Sequence, residues 1–412
     1  MPSRAWELRR RLTERIVGVD VARCVALVGM ICTHLVIPMG RDGRITVLQQ
    51  VAGGRSAALF AVLAGVSTAL VTGGAQPVAG SRLTRARWAL VVRAALIAAL
   101  GLWLAGLDSG IAVILPYYGV LFLLGVPFLR LRPGALAVLA AAVAVIVPVV
   151  SHLLRPHLPA VPLGQPTVDD LASPGPLLAD LTFTGTYPAV AWTAYLFLGM
   201  ALGRLRLRRP DVAVRVALSG GALAIGGWLV GHLATGSTTV QAALTGSLPP
   251  SVLPWPAVEQ RLIEGLAGTT PTDTWWWLLV AAPHSTTTFD LAQTGGSAMV
   301  ALGLCLLVTR WQPRFWSVAC GAGAMTLSLY TFHVVLASSG IPRTAAYAVQ
   351  WHLLLVLAIG AVFAAARLRG PLEWLVGGVA ATVGDLLAPA LHRSTGATAE
   401  EPAHPDVQQL PQ

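Results

Sequence analysis

The sequence contains no lysine; all 28 of its basic residues are arginine. That absence excludes Schiff-base chemistry, a lysine general base and a P-loop phosphate site. Charge of any kind is scarce. Asp, Glu and Arg make up 11% of 412 residues, against about 25% in ordinary soluble domains. A water-facing surface cannot be built from so few charges, so most of the outside must face lipid. Metal-site spacing is missing too. The four cysteines (Cys24, Cys32, Cys305, Cys320) form no CxxC pair, and no HxxxH or HxxE occurs. The cysteines read as small helix-packing residues, and no metal is expected. There is no Gly-rich dinucleotide loop, no GxSxG elbow and no repeat of fixed period.

What is present is apolar: 55% of the chain, before its 42 glycines are counted. Runs of about 20 apolar residues fall at 17–39, 56–73, 88–107, 111–129, 134–154, 187–205, 211–235, 291–309, 318–340 and 347–366. A further stretch, Pro371 to Ala390, carries Glu373 and Asp385 and could span, re-enter or lie at the interface. The expected fold is all-α, a polytopic transmembrane bundle of ten or eleven spans over 17–390, with a basic tail at 1–16 and a disordered polar tail at 391–412. The net charge of +10 is divided among short clusters between spans, so no nucleic-acid partner is expected. Arginines gather before the first span and in every second loop: Arg82, Arg85 and Arg87; Arg130 and Arg132; Arg204, Arg206, Arg208 and Arg209; Arg310 and Arg314; Arg367 and Arg369. By the positive-inside rule the N-terminus is expected in the cytoplasm, and the all-arginine bias, as a high-GC bacterial coding sequence would give, leads to the expectation of a bacterial inner membrane. Two outer loops are long, 155–186 and 236–290. The second holds an amphipathic stretch, Ala257 to Leu266, and Trp275-Trp276-Trp277, which fits an interfacial anchor.

Ionisable groups inside spans are costly and normally face a cavity or a partner. The first span holds Asp20, Arg23 and His34. Arg23 lies three residues after Asp20, within pairing reach, and His34 lies eleven residues further, about three turns along the same stripe. A helix-start ion pair plus an interfacial histidine is the plain alternative. Other polar groups collect toward the outer half: Arg55 at the start of the second span, Tyr187 at the sixth, His284 and Asp290 before and within the eighth, and Tyr330 with His333 on one face of the ninth. Rim tyrosines are also ordinary belt residues. The inner arginines, among them Arg82, Arg85 and Arg204, could hold the phosphates of a coenzyme, although topology alone already calls for them.

The stretch Arg15-Ile-Val-Gly-Val-Asp20-Val-Ala-Arg23 through Gly29-Met30-Ile-Cys-Thr-His34 resembles the opening helix of the YeiB-like bacterial membrane proteins and of the heparan-alpha-glucosaminide N-acetyltransferase catalytic domain. Gly54-Arg55-Ser56, Tyr117-Tyr118-Gly119, Gly185-Thr186-Tyr187-Pro188, Pro283-His284-Ser285, Leu329-Tyr330 with His333, and Gly370-Pro371-Leu372-Glu373-Trp374 fit the same group in order. The Arg23-to-His34 spacing is also similar to the first-helix pair of the acyltransferase type 3 membrane O-acyltransferases.

The resemblance implies a transmembrane acyltransferase. It would carry an acyl group, acetyl in the simplest case, from cytoplasmic acyl-CoA to an extracytoplasmic glycan or related amphiphile. Catalysis would use His34 with Arg23 and Asp20, and the acceptor or developing oxyanion would meet Arg55, Tyr187, His284, Asp290, Tyr330 and His333. One departure stands out. The heparan-modifying enzyme has its catalytic histidine just after the first span, whereas Pro38 to Arg55 contains none here. The role then passes to His34, His284 or His333, or is lost. A transporter or flippase using the same polar cavity is the alternative. Expected partners are membrane lipids, acyl-CoA and the acceptor, with a second copy of the chain as a candidate.

Overall fold

In hydrocarbon, backbone N–H and C=O groups have no water to bond, so apolar runs satisfy them internally as helices. The computed structural model of the chain describes residues 15–36, 39–40, 44–159, 164–248, 254–339 and 347–388. The expected tails at 1–16 and 391–412 lie outside these residues apart from Arg15 and Ile16. Among the described residues, extended pairing is confined to one bridge, Met39 with Ile45. The helices are α1 (Val17–Leu35), α2 (Val47–Ala52), α3 (Arg55–Val71), α4 (Gly80–Ala105), α5 (Leu115–Gly125), α6 (Pro133–Leu154), α7 (Pro174–Ala179), α8 (Ala189–Gly203), α9 (Pro210–Thr235), α10 (Thr238–Gly246), α11 (Trp255–Glu264), α12 (Thr288–Val308), α13 (Pro313–Ala319), α14 (Thr326–Ser338), α15 (Ala348–Ala365) and α16 (Pro371–Leu387). Proline opens α6, α9 and α16, where its missing N–H costs nothing.

Among the described residues, seven segments are long and apolar enough to cross a membrane: α1, α2 with α3, α4, α6, α9, α12 and α15. The shorter apolar helices α5, α8 and α14 fill the remaining three of the ten expected positions. The protein is a multi-pass helical membrane protein. Its outer helices turn large apolar side chains outward, with Val138 71%, Leu218 69% and Leu233 65% exposed, as a lipid-facing surface requires.

Of the three short helices, α5 and α8 are the most enclosed. All of α8 except Val190 and Leu198 is buried. Each falls short of its expected span because irregular backbone precedes it: Ile111 to Ile114 before α5, Gly185 to Pro188 before α8, and a 3-10 turn, Gly321–Ala324, before α14. Non-helical backbone at membrane depth survives only when covered by protein or facing a cavity. Here Ile111, Val113, Ile114, Tyr187 and Ala322 are all buried. Small residues bring the central helices together. A Cβ on Gly65 of α3 would strike the backbone of Leu196 and Met200, and one on Gly199 of α8 would strike that of Val62.

The open question over Pro371 to Ala390 is answered by its neighbours. Gly384 packs on Arg85 and Ala89 near the start of α4, while Glu373 lies within electrostatic reach of Arg93, two turns further along α4. Helix α16 therefore runs back along the first part of α4 to the end where α4 begins, without crossing the bundle. The amphipathic stretch in 236–290 forms α11, which turns Val258 and Leu262 onto Val240, Leu244 and Trp277 in a small second core. Its apolar face is thus covered by protein, while Trp275 and Trp276 are exposed.

Candidate functional site

Helix α1 ends at Thr33-His34-Leu35, and beside that end Gly53-Gly54 turns the chain from α2 into α3. Gly54 has φ +69°, and a Cβ there would lie 3.1 Å from Pro283 Cβ. Glycine thus lets the start of α3 lie against the His284 loop. His284 and Thr286 hold φ of +58° and +57°, a left-handed conformation costing about 1–3 kcal/mol for non-glycine residues. Hydrogen bonds hold the loop in place. Asp290 accepts the Thr286 N–H at 3.0 Å, Thr287 caps α12 by accepting the Asp290 N–H at 3.2 Å, and the Thr286 hydroxyl donates to Gly268 O at 2.5 Å.

These pieces enclose a cavity of about 150 Å³ whose walls include His34, Gln49, Ser56, Tyr187, His284 and Tyr330. Pockets for drug-sized ligands run to about 300–1,000 Å³. This one is smaller, of a size for a small organic group. Tyr187 donates to Ala112 O at 3.3 Å and stands edge-on to both Trp192 and His284. Tyr330 receives the Ile114 N–H at 3.4 Å, which leaves its own hydroxyl proton to be donated elsewhere. Protein surrounds His284 except where it borders the cavity, and this desolvation pushes its pKa down to about 4. Its imidazole is neutral at physiological pH.

Behind His34 the imidazoles continue. His34 Nδ1 lies 3.2 Å from His333 Nε2, with the rings stacked at 7°. His333 Nδ1 lies 2.8 Å from His352 Nδ1, with those rings at 81°. His333 is fully buried and His352 is 5% exposed. Because the two contacts use opposite nitrogens of His333, the rings form a chain and do not converge on one point. Among the described residues no group of three His, Cys, Asp or Glu is placed to hold a metal ion.

The other end of α1 is closed. Arg23 donates to Asp20 at 2.7 Å and to Ser67 Oγ at 2.5 Å, and Asp20 also meets Arg15 at 3.1 Å. Arg93 lies within electrostatic reach of Arg23 and Glu373. Glu373 in turn caps α14, accepting the Leu327 and Ser328 N–H groups at 2.7 and 3.2 Å. Between Arg23 and His34 the stripe passes through Leu27, fully buried, and Met30, 3% exposed. The cavity reaches Met30, and the stripe that joins the Asp20–Arg23 pair to His34 is apolar at these two side chains.

The structure therefore gathers His34, Tyr187, His284 and Tyr330 around one cavity, with His333 directly behind. It sets Arg55 and Asp290 one layer back: Arg55 donates to Gln50 O at 2.6 Å and lies within electrostatic reach of Asp290, which ties down the His284 loop. Asp20 and Arg23 pair as their spacing predicts, away from the cavity. Two of the arginines expected to hold coenzyme phosphates are paired within the chain. Arg204, 3% exposed, donates to Ala69 O, Thr72 O, Gly74 O, Thr72 Oγ1 and Leu129 O, clamping the carbonyl ends of α3 and α5. Arg85 pairs with Asp385 at 2.6 Å. Arg82 is exposed at the start of α4.

Sequence reading missed His352, which sits beside an exposed Trp351 in an apolar helix and has no motif around it. It also missed Asp180 in a π-helical turn, Asp180–Thr184. Tyr117 donates to this carboxyl at 3.2 Å and meets Tyr187 edge-on, while burial pushes the Asp180 pKa up to about 6. A π-turn is itself a mark of functional regions, but sequence does not reveal one.

No curated protein matches the chain. The model of one family, described as heparan-alpha-glucosaminide N-acetyltransferase, catalytic, matches residues 15–230. That is just over half of the chain, and it takes in His34 and Tyr187 but stops before His284, Tyr330, His333 and His352. With its first-helix Asp20, Arg23 and His34 inside the matched region, the chain belongs to the heparan-alpha-glucosaminide N-acetyltransferase catalytic-domain family of membrane acetyltransferases.

Proposed function

We propose that the protein transfers an acyl group, acetyl in the simplest case, from acyl-CoA on the arginine-rich side of the membrane to an amine or hydroxyl of a carbohydrate or related amphiphile on the other. The observation that carries this reading is the cavity at the end of α1, where His34 and Tyr330 face a space of acyl-group size. The distribution of arginines supports an N-terminus in the cytoplasm, and we take the membrane to be a bacterial inner membrane. The cavity then opens toward the far side of the membrane.

In this reading the acceptor proton passes to His34 Nε2 as its nitrogen or oxygen attacks the thioester carbonyl. The Tyr330 hydroxyl, already accepting from Ile114, donates to the oxyanion that forms. Collapse breaks the carbon–sulfur bond, and the thiolate regains a proton from His34. Tyr187, Trp192 and neutral His284 give the acceptor an aromatic wall. Exposed Arg82, with Arg23 deeper in, supplies positive charge on the donor side. The acyl end must pass Leu27 and Met30 to reach His34, so the reaction requires these side chains to move.

The test is direct. Purified protein in detergent or liposomes, given radiolabelled acetyl-CoA and glucosamine as the probe acceptor, is expected to form N-acetylated product, and His34→Ala is expected to abolish it. Folded wild-type protein that transfers no label to glucosamine or to other amino and hydroxyl sugars overturns the reading. A transporter working through the same cavity would give that result.

A further inference from the structure

We propose that His333 and His352 act behind His34 as a two-ring proton relay, which fixes the His34 tautomer and carries the catalytic charge away from the cavity. The proposal rests on the acyl-transfer reading for its chemistry, and on geometry alone for its tautomers. Each of the two imidazole contacts, at 3.2 and 2.8 Å, needs one proton between its nitrogens. A neutral imidazole donates from one nitrogen and accepts at the other. A neutral chain of three therefore has two consistent arrangements. In one, His34 carries its proton on Nδ1 and gives it to His333 Nε2, while His333 gives its Nδ1 proton to His352 Nδ1. In the other, both donors are reversed and His34 is protonated on Nε2. Only the first gives His34 an accepting Nε2, as a general base at the cavity requires.

The step balances in protons. When His34 Nε2 takes the acceptor's proton, His34 becomes a cation. Its Nδ1 proton can move to His333 Nε2 as the His333 Nδ1 proton moves to His352 Nδ1. His34 and His333 are then neutral with protons on Nε2, and the positive charge rests on His352, two rings from the reacting carbonyl. Reversal of both transfers returns the proton to His34 for the leaving thiolate. His333 is entirely enclosed and His352 is 5% exposed, so bulk water does not compete for either transfer. Helices α14 and α15 thereby contribute to a reaction whose base stands on α1.

The experiment reads tautomers and protons separately. Nitrogen-15 spectra of full-length protein labelled in histidine, with His34 assigned by its loss in His34→Asn, are expected to show His34 protonated on Nδ1. His34 protonated on Nε2 overturns the proposal, whether or not the protein transfers acetyl groups. His352→Gln keeps an acceptor for His333 but cannot take a proton. It is expected to preserve the His34 tautomer, to slow acetyl transfer to glucosamine about 10- to 100-fold, and to turn a curved proton inventory into a linear one. His352→Leu is expected to lose the tautomer preference as well. A His352→Gln protein that keeps the wild-type rate and curved inventory overturns the relay. Wild-type protein with the Nδ1 tautomer but no transferase activity defeats the acyl-transfer reading and leaves the tautomer chain standing.

Discussion

The two ends of α1 contain similar numbers of polar side chains and use them in opposite ways. At the start of the helix the groups are charged and occupied. Arg23 is held by Asp20 and Ser67, Glu373 caps α14, and Arg204 is wrapped in carbonyls. At its end imidazoles and phenols border open space, and the charged Arg55 and Asp290 stand one layer back. Buried charge must be compensated on the spot, so charged residues within a membrane tend to become joints of the fold. Neutral titratable groups can face a cavity without that penalty and change protonation when a substrate arrives. The proposed acyl transfer therefore belongs with the neutral end.

The sharpest way to break that comparison is to remove one group from each end. His34→Ala is expected to lower acetyl transfer by about 10²- to 10⁴-fold, the range for a general acid–base residue, with the protein still folded, because its ring borders the cavity. Arg23→Ala is expected to reduce transfer only about 10-fold at low donor, the loss appearing as a higher KM for acetyl-CoA. Rates measured across donor concentration separate the two. Equal losses of turnover in both variants would erase the distinction between the ends.

Next in size is an effect on stability alone. Arg204→Met strips hydrogen-bond donors from buried carbonyls of α3 and α5, and is expected to cost about 3 kcal/mol or more. It should appear as a lower thermal transition and poorer yield. Arg82→Ala, altering an exposed side chain, is expected to leave the transition unchanged while weakening the response to acetyl-CoA. A thermally normal Arg204→Met would show that the clamp is not what joins these helix ends.

These arginines mark the limit of what was legible in the sequence. Hydrophobic runs and alternating basic loops reveal the ten apolar positions, because the bilayer imposes run length and charge bias directly on composition. The Asp20–Arg23 pair and the common stripe with His34 are legible for the same reason: helical spacing within one segment is fixed. Which arginine is buried is not legible, since Arg82 and Arg204 look alike in a basic loop and differ only in what folds over them. Nor does the sequence show that Leu27 and Met30 block the stripe, or that His352 stands behind His333 across 19 residues. Tertiary contacts between helices carry no signature in either helix alone. Pro371 to Ala390 stays open in the sequence because Glu373 and Asp385 interrupt an otherwise apolar run; the helix that forms there has 17 residues, about 25 Å, short of the roughly 30 Å of a hydrocarbon core.

A smaller effect tests the neutral end through pH. His284 titrates near 4 in the folded protein against 6.5 in an ordinary histidine. Between those values the unfolded chain binds a proton that the folded chain refuses, so stability falls as pH drops from about 6.5 toward 4 and is unaffected by this group above that window. The loss from His284 alone is expected to reach at most about 3 kcal/mol. Thermal transitions across this range are expected to fall less steeply in His284→Gln than in wild type. Identical slopes would mean that water reaches the imidazole in the folded protein.

The smallest effect belongs to the Arg85–Asp385 pair, and it separates occupied charge that is buried from occupied charge that is not. Both side chains are more than half exposed, at 53% and 54%, so solvent screens their attraction and holding two mobile side chains in register offsets much of the gain. Such pairs contribute about 0–1 kcal/mol. Asp385→Asn is expected to change the thermal transition by no more than that, in contrast with Arg204→Met at the same end of the bundle. The helix itself is held elsewhere, by Gly384 against α4 and by Glu373 on the first turn of α14. A large loss in Asp385→Asn would mean that the ion pair anchors α16, and that charge near this surface is as structural as charge within the bundle.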